Sequence, residues 1–278
     1  MALKLMYITN RPDVALIAEN AGVDRIFVDM EYIGKSDRQG GMDTVQCHHT
    51  VADVRAIRNV VTSANLMVRI NPIHDQTDDY CSSGEEIDRV IDAGADIIML
   101  PYFKTVEEVR TFITLVRGRV RTLLLFETPE SIEHLDEILA LDGIDEVFIG
   151  LNDLSLGYKK KFMFELLSDG TVEQVAFKFR QKGYSFGFGG IAALGKGMLP
   201  AERIIAEHYR LGSTCAILSR SFCNVTEKST LTEVKETFDK GVREIRAFEQ
   251  ECDGRMSWFW KSRDVLCEGV SKILETKS

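Results

Sequence analysis

Two apolar runs in this chain end on a carboxylate. Leu123-Leu124-Leu125-Phe126 leads into Glu127-Thr128, and Val147-Phe148-Ile149-Gly150-Leu151-Asn152 leads into Asp153. An acid that closes a buried-looking strand is costly unless something compensates its charge. At the C-terminal end of a strand in a β/α repeat, it stands where barrel enzymes place metal ligands and reacting groups. Two bare carboxylates brought close together repel, and one of them is driven towards protonation. A hard divalent cation between them removes the conflict, and oxygen-only ligation suits Mg²⁺ or Mn²⁺. Glu127 and Asp153 are therefore the expected metal ligands. The alternative is that each acid pairs with Arg69 or caps the helix that follows it.

Other polar residues occupy the same place in other apolar runs. Val28 leads to Asp29-Met30-Glu31-Tyr32, Val68 to Arg69-Ile70-Asn71-Pro72, Phe188 to Gly189-Gly190, and Leu218 to Ser219-Arg220-Ser221. Arg69, flanked by apolar residues, presents a planar fork suited to a carboxylate, an enolate oxygen or a phosphate; a structural salt bridge to Asp29 or Glu31 is its other reading. The backbone N–H groups of Gly150, Leu151, Asn152 and Asp153 are placed to receive an anion, as at a helix start. Gly190 lies in a glycine-rich stretch that permits close backbone approach to a ligand. That stretch matches a dinucleotide fingerprint poorly and falls at the seventh strand, which argues against a nicotinamide cofactor. His48 and His49 end a long polar loop, Ile33 to His49, of the length that often forms a lid. His49 either reaches the site or merely precedes a helix start at Thr50. His74 is close enough in sequence to Arg69 to reach the site, whereas His134 and His208 lie in helical stretches and read as structural.

These residues need a scaffold, and the remaining pattern supplies one. Apolar runs expected as strands (4–10, 25–31, 66–71, 96–101, 121–127, 146–151, 185–190 and 215–220) alternate with amphipathic stretches expected as helices (13–21, 50–61, 84–93, 105–116, 129–140, 171–182, 200–211 and 230–250). Thr105-Val106-Glu107-Glu108 is a capping box, and Pro129 and Pro200 stand where a first helical turn begins. Strands that are apolar throughout imply a parallel sheet covered on both faces. Eight such units make the fold class α/β, a (β/α)8 TIM barrel over residues 1–250. Residues 251–278 form a C-terminal helical extension. Its aromatic cluster, Trp258-Phe259-Trp260, is expected either to cover the barrel floor or to lie against a neighbouring subunit, and a homo-oligomer is expected in either case.

Bulk properties exclude several classes of function. The 278 residues carry a net charge of -9, and the 34 Lys and Arg form no dense basic block, so nucleic acid is not an expected partner. No apolar run is long enough for a signal peptide or a membrane span, so a soluble cytoplasmic protein is expected. The six cysteines are scattered without a Cys-x-x-Cys pair, as for free thiols in a reducing compartment.

Taken in order, the strand ends form a recognisable set: Asp29-x-Glu31, Val68-Arg69-Ile70-Asn71-Pro72, Gly94-Ala95-Asp96 leading to Pro101, Phe126-Glu127-Thr128, and Gly143-Ile144-Asp145-Glu146-Val147-Phe148-Ile149-Gly150-Leu151-Asn152-Asp153. Over roughly residues 20–225 the chain resembles the HpcH/HpaI aldolase/citrate lyase family of class II, metal-dependent pyruvate aldolases. The resemblance implies that Glu127 and Asp153 bind Mg²⁺ or Mn²⁺, which chelates the carboxylate and keto oxygen of pyruvate. It gives Arg69 the contact to that oxygen, the amides of Gly150 to Asp153 the carboxylate, and Asp29 a part in the base system. The implied reaction is cleavage or formation of a 4-hydroxy-2-oxo acid through a metal-bound pyruvate enolate. Two alternatives stay open: a citrate-lyase-like acyl-CoA lyase or phosphoenolpyruvate-handling relative, and a non-catalytic barrel that binds ligands or serves as a scaffold. The chain departs from the family pattern at Tyr32, where a histidine base is usual, at Leu125, where a glutamine is common, and in the segment Gly34 to Gly41. A tyrosine of ordinary pKa near 10 is a poor base at neutral pH. The base is then expected from metal-bound water, His48 or His49, or a group on a partner subunit.

Overall fold

A computed structural model of the chain describes residues 2–35, 48–252 and 256–276. Strands β1 (Lys4–Ile8), β2 (Arg25–Asp29), β3 (Asn65–Arg69), β4 (Ile97–Leu100), β5 (Arg121–Phe126), β6 (Glu146–Ile149), β7 (Ser185–Ile191) and β8 (Cys215–Leu218) run parallel in sequence order around a closed barrel. The outer elements, in order, are α1 (Pro12–Asn20), α2 (Val51–Arg58), α3 (Ser83–Asp92), α4 (Val106–Val116), α5 (Pro129–Glu133), α6 (Leu135–Ile138), α7 (Leu151–Gly157), α8 (Glu165–Ser168), α9 (Thr171–Gln181), α10 (Ala201–Leu211), α11 (Leu231–Cys252) and α12 (Met256–Thr276). This is the (β/α)8 barrel with a helical C-terminal region that the alternation of apolar runs predicts. Among the described residues no helix is long and apolar enough to cross a membrane. Cys81, Cys215, Cys223, Cys252 and Cys267 form no disulfides, and Cys47 lies outside the described residues.

The strand starts coincide with the expected ones to within a residue, but several strands end earlier. β2 stops at Asp29 and β6 at Ile149, two residues short in each case; Met30 and Gly150 each still donate an N–H to the neighbouring strand, to Arg69 O and Phe126 O, before the chain turns off into the barrel mouth. The helix expected over 129–140 is broken into α5 and α6 at His134, which has φ -90° and ψ 12°. α7 and α8 are additional: each is a short turn of helix without a long apolar stripe to announce it.

Successive residues of a strand face opposite sides, and here they feed two separate cores. Leu5, Val28, Leu66, Ile98, Leu124 and Val147 join the large core between strands and helices. Met6, Phe27, Met67, Met99, Leu125 and Phe148, among others, fill the barrel interior as a plug. Stepping two residues back from the plug gives the floor, where Arg25 meets Glu146 through a forked pair of contacts at 2.7 and 2.8 Å. Arg121 reaches the same carboxylate at 3.4 Å and also bonds Asn65.

Phe259 is buried against Ala206 of α10 and Cys252 of α11, while Trp258 meets Phe248 edge-on. The aromatic cluster thus lies on the outer wall and not under the floor, which the Arg25–Glu146 pair already closes. Trp260 remains exposed beneath the Arg210 guanidinium, 5.5 Å from its ring centre.

Replacing Arg25 by Met would leave Glu146 buried with only the more distant Arg121. This substitution is expected to cost about 3–5 kcal/mol in urea denaturation, because an uncompensated buried charge is worse than none. Adding Glu146→Leu should recover most of that loss. A single variant as stable as the parent would show that the pair does not hold the floor.

Candidate active site

Stepping two residues forward from the plug gives the barrel mouth. Phe27 is followed by Asp29, Met67 by Arg69, Leu125 by Glu127, and Phe148 by Gly150. The alternation that buries the plug therefore delivers charged groups to one interior layer.

Arg69 grips Asp29 through two bonds, Nε to Oδ1 at 2.8 Å and Nη2 to Oδ2 at 2.7 Å. Its Nη1 also lies 3.3 Å from Glu31 Oε2. A second cation completes the arrangement: Lys35 Nζ is 3.1 Å from Asp29 Oδ2 and 3.2 Å from Glu31 Oε2. Two carboxylates and two cations thus alternate in a ring, almost fully buried. Burial alone would raise the Asp29 carboxyl, but Arg69 and Lys35 outweigh it and hold that group far below the ordinary range. Lys35 is the residue that sequence reasoning missed. It lies six residues beyond the end of β2 in a stretch that reads as a polar loop, and the one signal for it is its place four residues after Glu31.

Glu127 is buried beside this ring. Its Oε1 accepts the backbone N–H of Tyr102 at 3.0 Å. Tyr102 holds φ at 48°, a left-handed conformation unusual for a bulky residue. Gly150 is required on the other side, since a Cβ there would fall 2.7 Å from both Cβ and Oε2 of Glu127. Asp153, the third residue of α7, is buried as well. Burial, then the negative charges of Glu31 and Asp153, push the Glu127 carboxyl well above its ordinary range against the pull of Arg69.

That crowding is the condition a cation relieves. Among the described residues, Asp29, Glu31, Glu127 and Asp153 bring four carboxyl groups to this region, whereas Arg69 and Lys35 bring two cationic side chains. A divalent ion would balance these carboxyls in their ionised forms. No group of three or more His, Cys, Asp or Glu side chains among the described residues is set as a ready cage. The residues therefore fit a hard cation held by two carboxylates, Glu127 and Asp153, with its other positions left to water and substrate oxygens, as Mg²⁺ tolerates.

Glu127, Asp153, Arg69 and Lys35 line a cavity of about 220 Å³, together with Gly150, Leu151, Asn152 and Gly190. Leu125, at the site of the glutamine common in the resembled family, contributes an apolar wall with Phe148. Gly150 donates its own N–H to Phe126 O at 3.0 Å, which runs against the expectation that this amide receives an anion. α7 has no side-chain cap, which leaves its first-turn amides without an intrahelical acceptor.

Arg69 is shared with a second cavity of about 460 Å³, bordered by Asp29, His49, Thr9 and Ser219. His49 Nδ1 accepts the backbone N–H of Asp29 at 3.0 Å. Neutral His49 therefore carries its hydrogen on Nε2, and burial holds the imidazole below its ordinary pKa. Tyr32 is set apart. Asn71 Oδ1 accepts its backbone N–H at 3.0 Å, and its ring meets Tyr80 edge-on at 5.3 Å in a separate groove that also holds His48. Its phenol is pushed up by burial and then by Glu86, further from the range of a useful base. His74 clamps a loop, with Nδ1 2.7 Å from Pro72 O and Nε2 2.9 Å from Cys81 O. His208 is buried and stacked on Phe188, as expected of a structural residue, and His134 forms the break between α5 and α6. Of the expected lid over Ile33 to His49, and of the unusual segment Gly34 to Gly41, residues 36–47 lie outside the described residues.

Over residues 4–183 the chain matches the sequence profile of the HpcH/HpaI aldolase/citrate lyase family. It is 25% identical to the 4-hydroxy-2-oxovalerate aldolase of Novosphingobium aromaticivorans, across 52% of this chain and 58% of that one. It is 30% identical to the hydroxypyruvate/pyruvate aldolase of Roseovarius nubinhibens, across 25% of this chain and 38% of that one. The match thus spans less than two thirds of the length of either relative. A crystal structure of an HpcH/HpaI aldolase from Desulfitobacterium hafniense DCB-2 has the same fold, with a TM-score of 0.59 at 18% identity, covering 88% of this chain and 93% of that chain.

The crowded carboxylates have a measurable cost. A carboxyl raised in the folded state binds a proton that the unfolded chain has lost, so metal-free protein should lose stability as pH rises from about 4.3 through the raised value. Glu127→Gln should flatten that slope and raise the metal-free Tm at neutral pH, by roughly 2–4 °C per kcal/mol of repulsion relieved. Mn²⁺ should raise the Tm of the parent and not that of the variant. Gly150→Ala should displace Glu127 and weaken Mn²⁺ binding in calorimetry, while far-UV circular dichroism stays unchanged.

Proposed function

The chain belongs to the HpcH/HpaI aldolase/citrate lyase family, and on that footing we propose that it is a metal-dependent carbon–carbon lyase that cleaves or forms a 4-hydroxy-2-oxo acid. The observation that carries this reading is the presence of Glu127, Asp153 and Arg69 on the walls of one small cavity. The names of the relatives, a 4-hydroxy-2-oxovalerate aldolase and a hydroxypyruvate/pyruvate aldolase, support the substrate class.

Cleavage breaks the bond between C3 and C4, and the electron pair left on C3 delocalises onto the oxygen at C2. The chain must stabilise charge at that oxygen, and charge developing in a preorganised, water-poor site is where fixed donors act most strongly. Arg69 is such a donor, because Asp29 locks its guanidinium in one orientation. The α7 start receives the substrate carboxylate through first-turn amides. A cation held by Glu127 and Asp153 would supply Lewis-acid polarisation of the 2-oxo group. The aldehyde half falls in the larger cavity, where His49 offers Nε2–H to the oxygen at C4. Because Nδ1 is already occupied by the Asp29 N–H, His49 acts as a hydrogen-bond donor and not as the base.

Incubation with 4-hydroxy-2-oxo acids should release pyruvate, with activity abolished by a chelator and restored by Mg²⁺ or Mn²⁺. Arg69→Lys should lower kcat by about 10²–10³, the usual loss for one oxyanion donor. Full turnover in protein shown to be metal-free, or cleavage confined to acyl-CoA thioesters, would sink the reading.

A further inference from the structure

The reaction proposed above needs a proton that none of its assigned residues supplies. When C3 and C4 part, C3 must gain a hydrogen to become the methyl group of pyruvate. Among the described residues that line the small cavity, the side chains chemically able to exchange a proton are those of Lys35, Glu127 and Asp153, since a guanidinium such as that of Arg69 does not give up its proton in proteins. Glu127 and Asp153 are the carboxylates that fit the cation. Lys35 is left. Its Nζ sits 3.1 Å from Asp29 Oδ2 and 3.2 Å from Glu31 Oε2, so two carboxylates hold the ammonium at the cavity wall without sealing it away. Asp29 already receives a forked pair of bonds from Arg69, so Lys35 is the second cation on that carboxylate. Lysine on its flexible stem is also a cation that can hand on a proton and take it back.

We propose that Lys35 is the catalytic acid of this lyase, delivering a proton to C3 in cleavage and removing it in the direction of carbon–carbon bond formation. In cleavage the C2–C3 electron pair of the enolate takes a hydrogen from Nζ, a C3–H bond forms, an N–H bond breaks, and C2 regains its keto group. The nitrogen keeps the electron pair as a neutral amine. The proton lost from the 4-hydroxyl passes to solvent, and the amine is recharged from solvent, so protons balance over the cycle. This assignment rests on the lyase reading, and the experiment separates the two.

The decisive measurement is exchange of the pyruvate methyl protons with D₂O, followed by NMR in Mn²⁺- or Mg²⁺-loaded enzyme without aldehyde. Mn²⁺ affinity by calorimetry and thermal melting are taken for every variant. Lys35→Met should bind Mn²⁺ and melt cooperatively yet lose exchange by about 10²–10⁴, the range for general acid–base groups. Lys35→Arg, which keeps the charge, should not restore exchange. Methylamine added to Lys35→Ala should restore part of it. Exchange at the parent rate in Lys35→Met, or full recovery in Lys35→Arg, would overturn the assignment and leave Lys35 a positioning residue. Trapping of pyruvate on Lys35 by borohydride in metal-free protein would also overturn it, making the residue a nucleophile. Parent enzyme that binds Mn²⁺ but exchanges no protons would instead overturn the lyase reading itself.

Discussion

The pairing of Asp29 with Arg69 is the interaction on which the barrel mouth depends. Asp29 holds Arg69 by two bonds and Lys35 by a third, while its backbone N–H holds His49 through Nδ1. One residue at the end of β2 thus orients a guanidinium, an ammonium and an imidazole. Desolvating these charges is expensive, and each is tolerated only because its partner is in place. The same dependence runs outward, for Arg69 is also the wall between the two cavities. Weakening the Asp29–Arg69 pair would blur the division between the two halves of a substrate as well as the charge on either side.

Around that pair the barrel interior is layered by a period of two. Arg25 and Glu146 make a floor, Phe27 and Phe148 belong to the plug, and Asp29 and Gly150 reach the mouth. Each layer constrains the next through backbone register. Gly150 follows Phe148 by one such step, and its missing side chain is the space that Glu127 occupies. The unusual φ of Tyr102 belongs to the same construction, since it turns a backbone N–H towards Glu127 Oε1.

This periodicity explains what could be read without coordinates. A charge that ends an apolar run is visible as an anomaly, and so Glu127, Asp153 and Arg69 stand out together with the strands they end or follow. Lys35 did not, because a lysine in a polar loop has the most ordinary surroundings a sequence can show. Its importance comes from the chain folding back over β2, a tertiary fact. Tyr32 misleads for the converse reason. It directly follows Glu31, yet Asn71 captures its backbone and the ring turns away to Tyr80. The tautomer of His49 depends on a single contact across 20 residues of chain, for which no local pattern exists. The short helices α7 and α8 escaped for want of length, since periodicity needs several turns to register.

The closed floor has a further consequence. With Arg25, Met6 and Cys215 all at 0–1% exposure, the barrel axis is a blind end for water. Among the described residues, a proton moving down the middle of the fold from the opposite face would have to cross the Arg25–Glu146 pair and the apolar plug above it. A proton that Lys35 gave to a substrate would then return by the mouth, through the opening the substrate itself fills, which would tie recharging of the site to its occupancy.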